Sequence, residues 1–306
     1  MSFVPLHDIR SAARSPAHDV SLAPEERKGR LPSWFKVKIR QGTDYKDIRS
    51  TMDRLGLHTI CEEARCPNVW ECWNARTATF LILGDICTRR CHYCAVSTGR
   101  PLPVDHEEPR RIAEAVEALG LHHVVLTSVN RDELEDGGAD IFAETIRQIR
   151  QVLSTCTIEV LIPDFEGNAE ALEAVVKERP EILNHNIETV RRLFPSIRPQ
   201  GKYDRSLKLL DHAKRLGART KSGLIVGMGE TLDEVRDVMR DLRTAGCDIM
   251  TIGQYLQPTK AHLTVARFYH PEEFAALKEE GMALGFSHVE SGPLVRSSYH
   301  AAQQIS

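Results

Sequence analysis

A chain of 306 residues can bury one large core with extensions, and a formal net charge of −3 gives no long-range pull toward nucleic acid or an anionic membrane. Apolar content of 42% and charged content of 27% are ordinary for a globular protein, and no apolar run is long enough to span a bilayer. The first twenty residues lack the apolar centre of a secretory signal and carry Asp8 and Asp19, unlike an acid-poor transit peptide, so a cytoplasmic protein is expected. Stable disulfides are disfavoured there, and the eight cysteines therefore read as metal ligands or catalytic groups.

Residues 1–30 mix Ser, Pro, Arg and Glu and read as an extended arm. With the segment that follows, they form an N-terminal unit, 1–76, that carries Cys61, Cys66 and Cys72. From residue 77 a regular alternation begins. "TATFLILGDI" predicts a strand, 108–119 a helix, 122–129 a strand and 139–153 a helix, and 157–163, 182–188, 219–227 and 248–256 continue the strands. The amphipathic "SLKLLDHAKRLG" and "TLDEVRDVMRDLRTAG" each close on a helix-ending Gly. Six βα units predict an α/β fold with helices outside a parallel sheet: a partial (β/α)6 barrel of the TIM type over 77–260. An open doubly wound sheet is the alternative. Residues 261–306 form a C-terminal extension containing "RSSY" at 296–299.

"CTRRCHYC", residues 87–94, directly follows the first barrel strand and so lies at the strand ends where parallel barrels place their chemistry. Three cysteines can hold three irons of a 4Fe–4S cube and leave the fourth iron open to an outside ligand. Zinc is the alternative, but structural zinc closes with four ligands, and His92 beside Cys91 would strain the loop. Cys156 and Cys247 each precede a strand, which puts them at the opposite barrel end as small buried residues.

The C-x3-C-x2-C spacing with an aromatic before the last thiol (Cys87, Cys91, Tyr93, Cys94) resembles the signature of the radical S-adenosylmethionine enzymes. That resemblance implies a 4Fe–4S cluster on the three thiolates and S-adenosylmethionine chelated at the open iron. One-electron cleavage would then give methionine and a 5′-deoxyadenosyl radical. "GLIVGMGE" is similar to the family's G-x-I-x-G-x-x-E pattern, which implies Gly223, Ile225, Gly227 and Glu230 near the adenine. By the same resemblance Asn186 and Glu188 meet the ribose, and Thr127 and Ser128 meet the methionine moiety. Arg198 and Lys221 are candidate cationic partners of its carboxylate. Each has a plainer reading, because strand-end glycines make turns and a lone Asn or Glu often holds a loop.

The C-x4-C-x5-C of Cys61, Cys66 and Cys72, with "CEEARCPNVWECW", "EVLIPDFEG", "LNHNIETV", "QYLQPT" and "RSSYHA", resembles the lipoyl synthase family over nearly the whole chain. Leu183 stands where that family more usually has an aromatic residue. The resemblance implies insertion of two sulfur atoms into a protein-bound octanoyl group. It also implies a second, auxiliary 4Fe–4S cluster that donates the sulfur, held by Cys61, Cys66, Cys72 and Ser298, with Ser297 as the alternative. Implied partners are an octanoylated lipoyl carrier domain of 2-oxoacid dehydrogenase acyltransferase subunits or the glycine-cleavage H protein. An electron donor such as flavodoxin or ferredoxin and an iron–sulfur carrier protein complete the set. No side chain beyond the cluster ligands is assigned a catalytic role. The position of Cys156 and Cys247 argues against biotin synthase. The acidic balance argues against an RNA-modifying methylthiotransferase, and six βα units against a bare electron carrier.

Overall fold

The computed structural model describes residues 31–36 and 43–305, so the arm expected over 1–30 lies outside the described residues. Helix α1 (Thr43–Leu55), the two-residue strand β1 (His58–Thr59) and the short helices α2 (Ile60–Glu63) and α3 (Val69–Asn74) come first. Strand β2 (Ala78–Ile82) leads into the cysteine loop, bracketed by β3 (Ile86–Cys87) and β4 (Ser97–Thr98). Then follow α4 (Glu108–Leu119), β5 (His123–Ser128), α5 (Ala139–Val152), β6 (Thr157–Leu161), α6 (Ala169–Lys177) and β7 (Ile182–Asn184). The chain continues through α7 (Phe194–Ile197), α8 (Tyr203–Arg215), β8 (Thr220–Val226), α9 (Leu232–Thr244), β9 (Ile249–Gln254), α10 (Pro271–Ala283) and β10 (His288–Gly292).

All six expected strands form, in one sheet of order β1-β2-β5-β6-β7-β8-β9-β10 whose pairings are parallel except β1 with β2. The end strands do not pair with each other, so the barrel is partial, as expected. Parallel strands covered on both faces read as continuous apolar runs, and β2, "ATFLI", is buried throughout. Helix α9 begins in a capping box, Thr231 with Glu234, and presents Val235, Val238, Met239 and Leu242 at helical spacing to the core. The seventh parallel strand, β10, extends the predicted sheet. Its sequence, "HVESG", has no apolar run, because only Val289 is buried in the apolar core.

The N-terminal module shares one core with the first half of the barrel, where Ile48, Met52 and Trp73 pack with Phe80, Leu126 and Phe142. A second cluster, including Leu224, Met239, Ile252, Phe274 and Val289, underlies the other half. The C-terminal tail lies across the inner face of the open sheet. Any Cβ on Gly253 would overlap the Val295 carbonyl oxygen, so only glycine lets the tail approach β9. Farther on, the short turn Ala301–Gln304 packs against β5, and Arg219 Nη1 donates to the Ile305 carbonyl at 2.6 Å. Asn68 Nδ2 to the Leu294 carbonyl (2.6 Å) and Tyr299 hydroxyl to Glu71 (3.1 Å) bind the tail to the N-terminal module. Among the described residues, no helix is long and apolar enough to cross a membrane.

Candidate active site

Strand β3 delivers Cys87 to a loop clamped on several sides. Cys87 Sγ accepts from the Arg89 backbone N–H (3.4 Å), the Asn130 backbone N–H (3.3 Å) and Asn130 Nδ2 (3.8 Å). Such N–H···S donors tune any cluster that the sulfur carries. The buried Arg89 guanidinium forms a forked pair with Asp132 (2.8–3.0 Å) and a second pair with Asp164 (2.6 Å). Burial alone would raise the Asp164 carboxyl, but the bond to Arg89 and its charge more than reverse this and hold it well below the usual carboxylate range. On the other side, His92 N–H donates to the Ile197 carbonyl (3.0 Å), Leu263 N–H to the His92 carbonyl (3.1 Å), and His262 Nε2 to the Cys94 carbonyl (3.0 Å).

The second thiol set is built on the N-terminal module. Cys61 lies on α2, Cys72 on α3 and Cys66 in the turn between, its N–H closing on the Cys61 carbonyl at 2.9 Å. Burial pushes the Cys61 thiol up to about 12, and it also raises Cys66 and Cys72; Cys72 is raised further by Cys61 and Cys66, while Arg296 opposes the rise at Cys66. In the loop set, burial raises Cys91 and takes Cys94 to about 12, with Cys87 adding to both. Yet among the described residues no three His, Cys, Asp or Glu side chains converge as a single ion would need. Two open triads of mutually interacting thiols fit multi-iron clusters better than tetrahedral zinc. Cys156 and Cys247 stand apart, buried before β6 and β9.

Beside the loop set, several polar atoms are buried with no partner: Ser128 Oγ, Asn130 Oδ1, Asn186 Oδ1 and Arg198 Nε. Buried polar atoms are normally paired, so this group fits a site that a polar ligand completes. A Cβ on Gly223 would stand 2.7 Å from Asn186 Oδ1 and 2.9 Å from Thr251 Oγ1, which keeps the cradle open only for glycine. Arg198 Nη1 donates to the Asn186 carbonyl (3.0 Å) and Asn186 Nδ2 to Glu188 Oε1 (3.2 Å), with Tyr93 close to Glu188. Glu188 sits at φ +67°, a left-handed conformation that a non-glycine residue adopts at some cost. The fold thus gathers Tyr93, Ser128, Asn186, Glu188, Arg198 and Gly223 around the cysteine loop.

Other expected contacts are engaged within the protein. Thr127 Oγ1 donates to the Leu161 carbonyl of the next strand at 3.0 Å. Lys221 lies near the start of β8, fully buried, with Nζ 2.9 and 3.0 Å from the Glu159 carboxylate, so the carboxylate it meets belongs to the protein. Glu230 accepts from the Gly227 and Met228 N–H groups (2.5 and 2.9 Å) and the Tyr269 hydroxyl (2.8 Å), closing the turn after β8. Ile225 N–H is taken by the Glu188 carbonyl at 2.9 Å. Sequence reasoning missed Asn130, Arg89, His262 and Arg296. Arg89 and Arg296 lie inside quoted motifs, but only the fold brings them to a buried carboxylate and to a thiol.

A family model for the Radical SAM superfamily matches residues 81–242, and one for the N-terminal domain of lipoyl synthase of the Radical SAM family matches residues 7–66. The lipoyl synthase of Rubrobacter xylanophilus is 59% identical over 91% of this chain and 87% of its own. That of Shouchella clausii is 56% identical over 92% of each. Among solved structures, methylornithine synthase aligns with a TM-score of 0.51 at 15% identity, covering 83% of this chain and 82% of its own. The FeFe-hydrogenase maturase HydG from Carboxydothermus hydrogenoformans gives 0.55 at 14% identity, covering 98% and 77%. At such identities the two structures speak for the barrel alone, whereas the sequence relatives share the whole chain. This chain belongs to the lipoyl synthase family of radical S-adenosylmethionine enzymes.

Proposed function

We propose that this chain inserts sulfur at the sixth and eighth carbons of a protein-bound octanoyl group, with one 4Fe–4S cluster for radical generation and a second as sulfur donor. The observation that carries the reading is the pair of separate, free thiol triads, one on the barrel loop and one on the N-terminal module. Alkane carbons have no acidic proton, so side-chain acids and bases cannot start this reaction; cluster-bound S-adenosylmethionine supplies an organic radical that can. Cys87, Cys91 and Cys94 would hold the first cluster, with Asn130 and Arg89 donating to Cys87 Sγ. Ser128, Asn186 and Arg198 offer unpaired polar atoms to the cofactor. Cys61, Cys66 and Cys72 would hold the second. Ser297 is already bonded to Asn186 (3.1 Å), which supports Ser298 as the fourth ligand.

In this reading the units 1–76, 77–260 and 261–306 are the auxiliary-cluster module, the radical barrel and the closing tail. The octanoyl group arrives on a lipoyl carrier domain of a 2-oxoacid dehydrogenase or on the glycine-cleavage H protein. A flavodoxin or ferredoxin supplies electrons, and an iron–sulfur carrier rebuilds the consumed cluster. The test uses anaerobically reconstituted protein, octanoylated carrier domain and dithionite, and should yield methionine, deoxyadenosine and lipoylated carrier. Cys66→Ala should still make deoxyadenosine but no lipoyl group, with iron falling from about eight to about four per chain, the content of two cubes and one. Lipoyl product from that variant would show that the N-terminal triad is not the sulfur source.

A further inference from the structure

A groove of about 1070 Å³ opens between α6, α8 and the segment 194–204, away from the N-terminal thiol triad. Leu172, Phe194 and Leu209 give it an apolar floor. Its lining carries Arg191, Lys202, Arg205, Lys208 and Arg215 against Asp164, Asp204 and Asp211, in a chain whose net charge is −3; the three arginines pair with those acids, which leaves the positive excess on the two lysines. Lys202 and Lys208 are exposed and have no ion-pair partner among the described residues, so their charge is free to meet a partner.

The groove is also the back wall of the cysteine loop. The segment that lines it accepts from the loop at two points, Ile197 carbonyl from His92 N–H (3.0 Å) and Gln200 Oε1 from Arg90 N–H (3.3 Å). From the rim inward, Arg205 Nη1 meets Asp164 Oδ2 (3.1 Å), and Asp164 Oδ1 meets Arg89 Nη2 (2.6 Å). Arg89 in turn donates its backbone N–H to Cys87 Sγ (3.4 Å). One buried carboxylate therefore separates a surface cation from the thiol loop. An octanoyl chain must instead reach the space bounded by both triads and the tail, so this face is left for another partner.

We propose, on the radical-enzyme reading above, that this groove docks an acidic one-electron carrier protein that reduces the cluster on Cys87, Cys91 and Cys94. One electron leaves the carrier's reduced flavin or iron–sulfur centre and enters the cluster, taking it from the 2+ to the 1+ state. No bond forms or breaks, and no proton is required from this chain. The basic rim raises the encounter rate and orients the acidic face, and the apolar floor holds the docked pair.

The test is Lys202→Glu/Lys208→Glu, two exposed rim positions outside the cofactor site. With flavodoxin hydroquinone as probe at low salt, the variant's cluster should be reduced about tenfold more slowly or worse, the scale of electrostatic steering. Its affinity for oxidised flavodoxin, measured by calorimetry, should fall by a similar factor, and added salt should slow the wild type but not the variant. Dithionite-driven deoxyadenosine and lipoyl formation should stay at wild-type level, which also shows that the variant is folded. Unchanged flavodoxin affinity and reduction rate would overturn the proposal. So would a raised KM for octanoylated carrier under dithionite with electron delivery intact, which would make the groove the substrate's dock. Wild-type protein that makes no deoxyadenosine even with dithionite would overturn the underlying reading and this inference with it.

Discussion

Asn186 Nδ2 donates to Ser297 Oγ over 3.1 Å, and this bond ties the barrel segment after β7 to the C-terminal tail. The residues flanking the serine pair engage the other partner: Arg296 lies beside Cys66, and the Tyr299 hydroxyl bonds to Glu71, next to Cys72. The "RSSY" segment therefore spans the two thiol triads, with one serine already committed to the barrel.

That geometry separates the two serines. Ser298→Ala should lose iron from the proposed auxiliary cluster during turnover, whereas Ser297→Ala should keep its iron and raise KM for S-adenosylmethionine severalfold by freeing Asn186. Ser298→Cys should retain the cluster but slow sulfur insertion, because thiolate is a softer, better matched iron ligand than alkoxide and is harder to release. Iron analysis with single-turnover lipoyl formation decides the matter. Full turnover and full iron in Ser298→Ala, with iron loss in Ser297→Ala, would reverse the assignment.

A second prediction concerns the donors to Cys87. Asn130→Ala removes the side-chain contact at 3.8 Å and leaves the backbone bond at 3.3 Å. Losing a donor raises the negative charge on sulfur, so the barrel cluster's reduction potential should drop. Deoxyadenosine formation should slow about tenfold, the low end for an outer-shell change, with iron content intact. A redox titration followed by electron paramagnetic resonance checks this. An unchanged potential would assign Asn130 to loop closure alone.

The cysteine triads were legible because spacing on a short loop is local information. The six barrel strands were legible because buried parallel strands are continuous apolar runs. Strand β10 was not, since its residues carry Glu290 and His288 rather than an apolar run. Neither was the path of the tail, which depends on the missing side chain of Gly253. The expected cofactor contacts divided for the same reason. Asn186 and Arg198 keep unpaired atoms, while Lys221, Thr127 and Glu230 meet partners on other strands or loops. Which strand supplies a partner is a property of the sheet order, and no local pattern encodes it.

Lys221 tests that division directly. Lys221→Met strands the Glu159 carboxylate in the barrel interior, and should destabilise the protein by about 3–5 kcal/mol, as broken buried ion pairs do. Adding Glu159→Leu removes the orphaned charge and should restore most of the loss. Urea unfolding of the metal-free protein measures both. If Lys221 instead held the cofactor's carboxylate, the double variant would bind S-adenosylmethionine far more weakly than wild type, and equal affinity would dismiss that role.

Acid sensitivity should come from two buried histidines. Burial pushes His123 down to about 4, aided by the charge of Lys221, and burial with the Arg198 charge does the same to His185. His185 is held by the Ile162 carbonyl and Ser206 Oγ, both at 2.9 Å, and His123 by Thr157 Oγ1 at 2.9 Å. Unfolded, each imidazole titrates near its ordinary value of about 6.5. Between about 6.5 and 4 the unfolded chain therefore binds protons that the native protein does not, and stability falls as pH drops through that window. Above it both states are neutral and the histidines add no pH dependence. Each can cost roughly 3 kcal/mol by the bottom of the window. Asp164, held far lower, loses its contribution only in stronger acid. Urea midpoints of the metal-free protein across this range should decline with a slope approaching two protons, and His123→Gln should remove about one. A flat profile in the wild type, or an unchanged slope in the variant, would show that the imidazoles are charged or exposed in the native state.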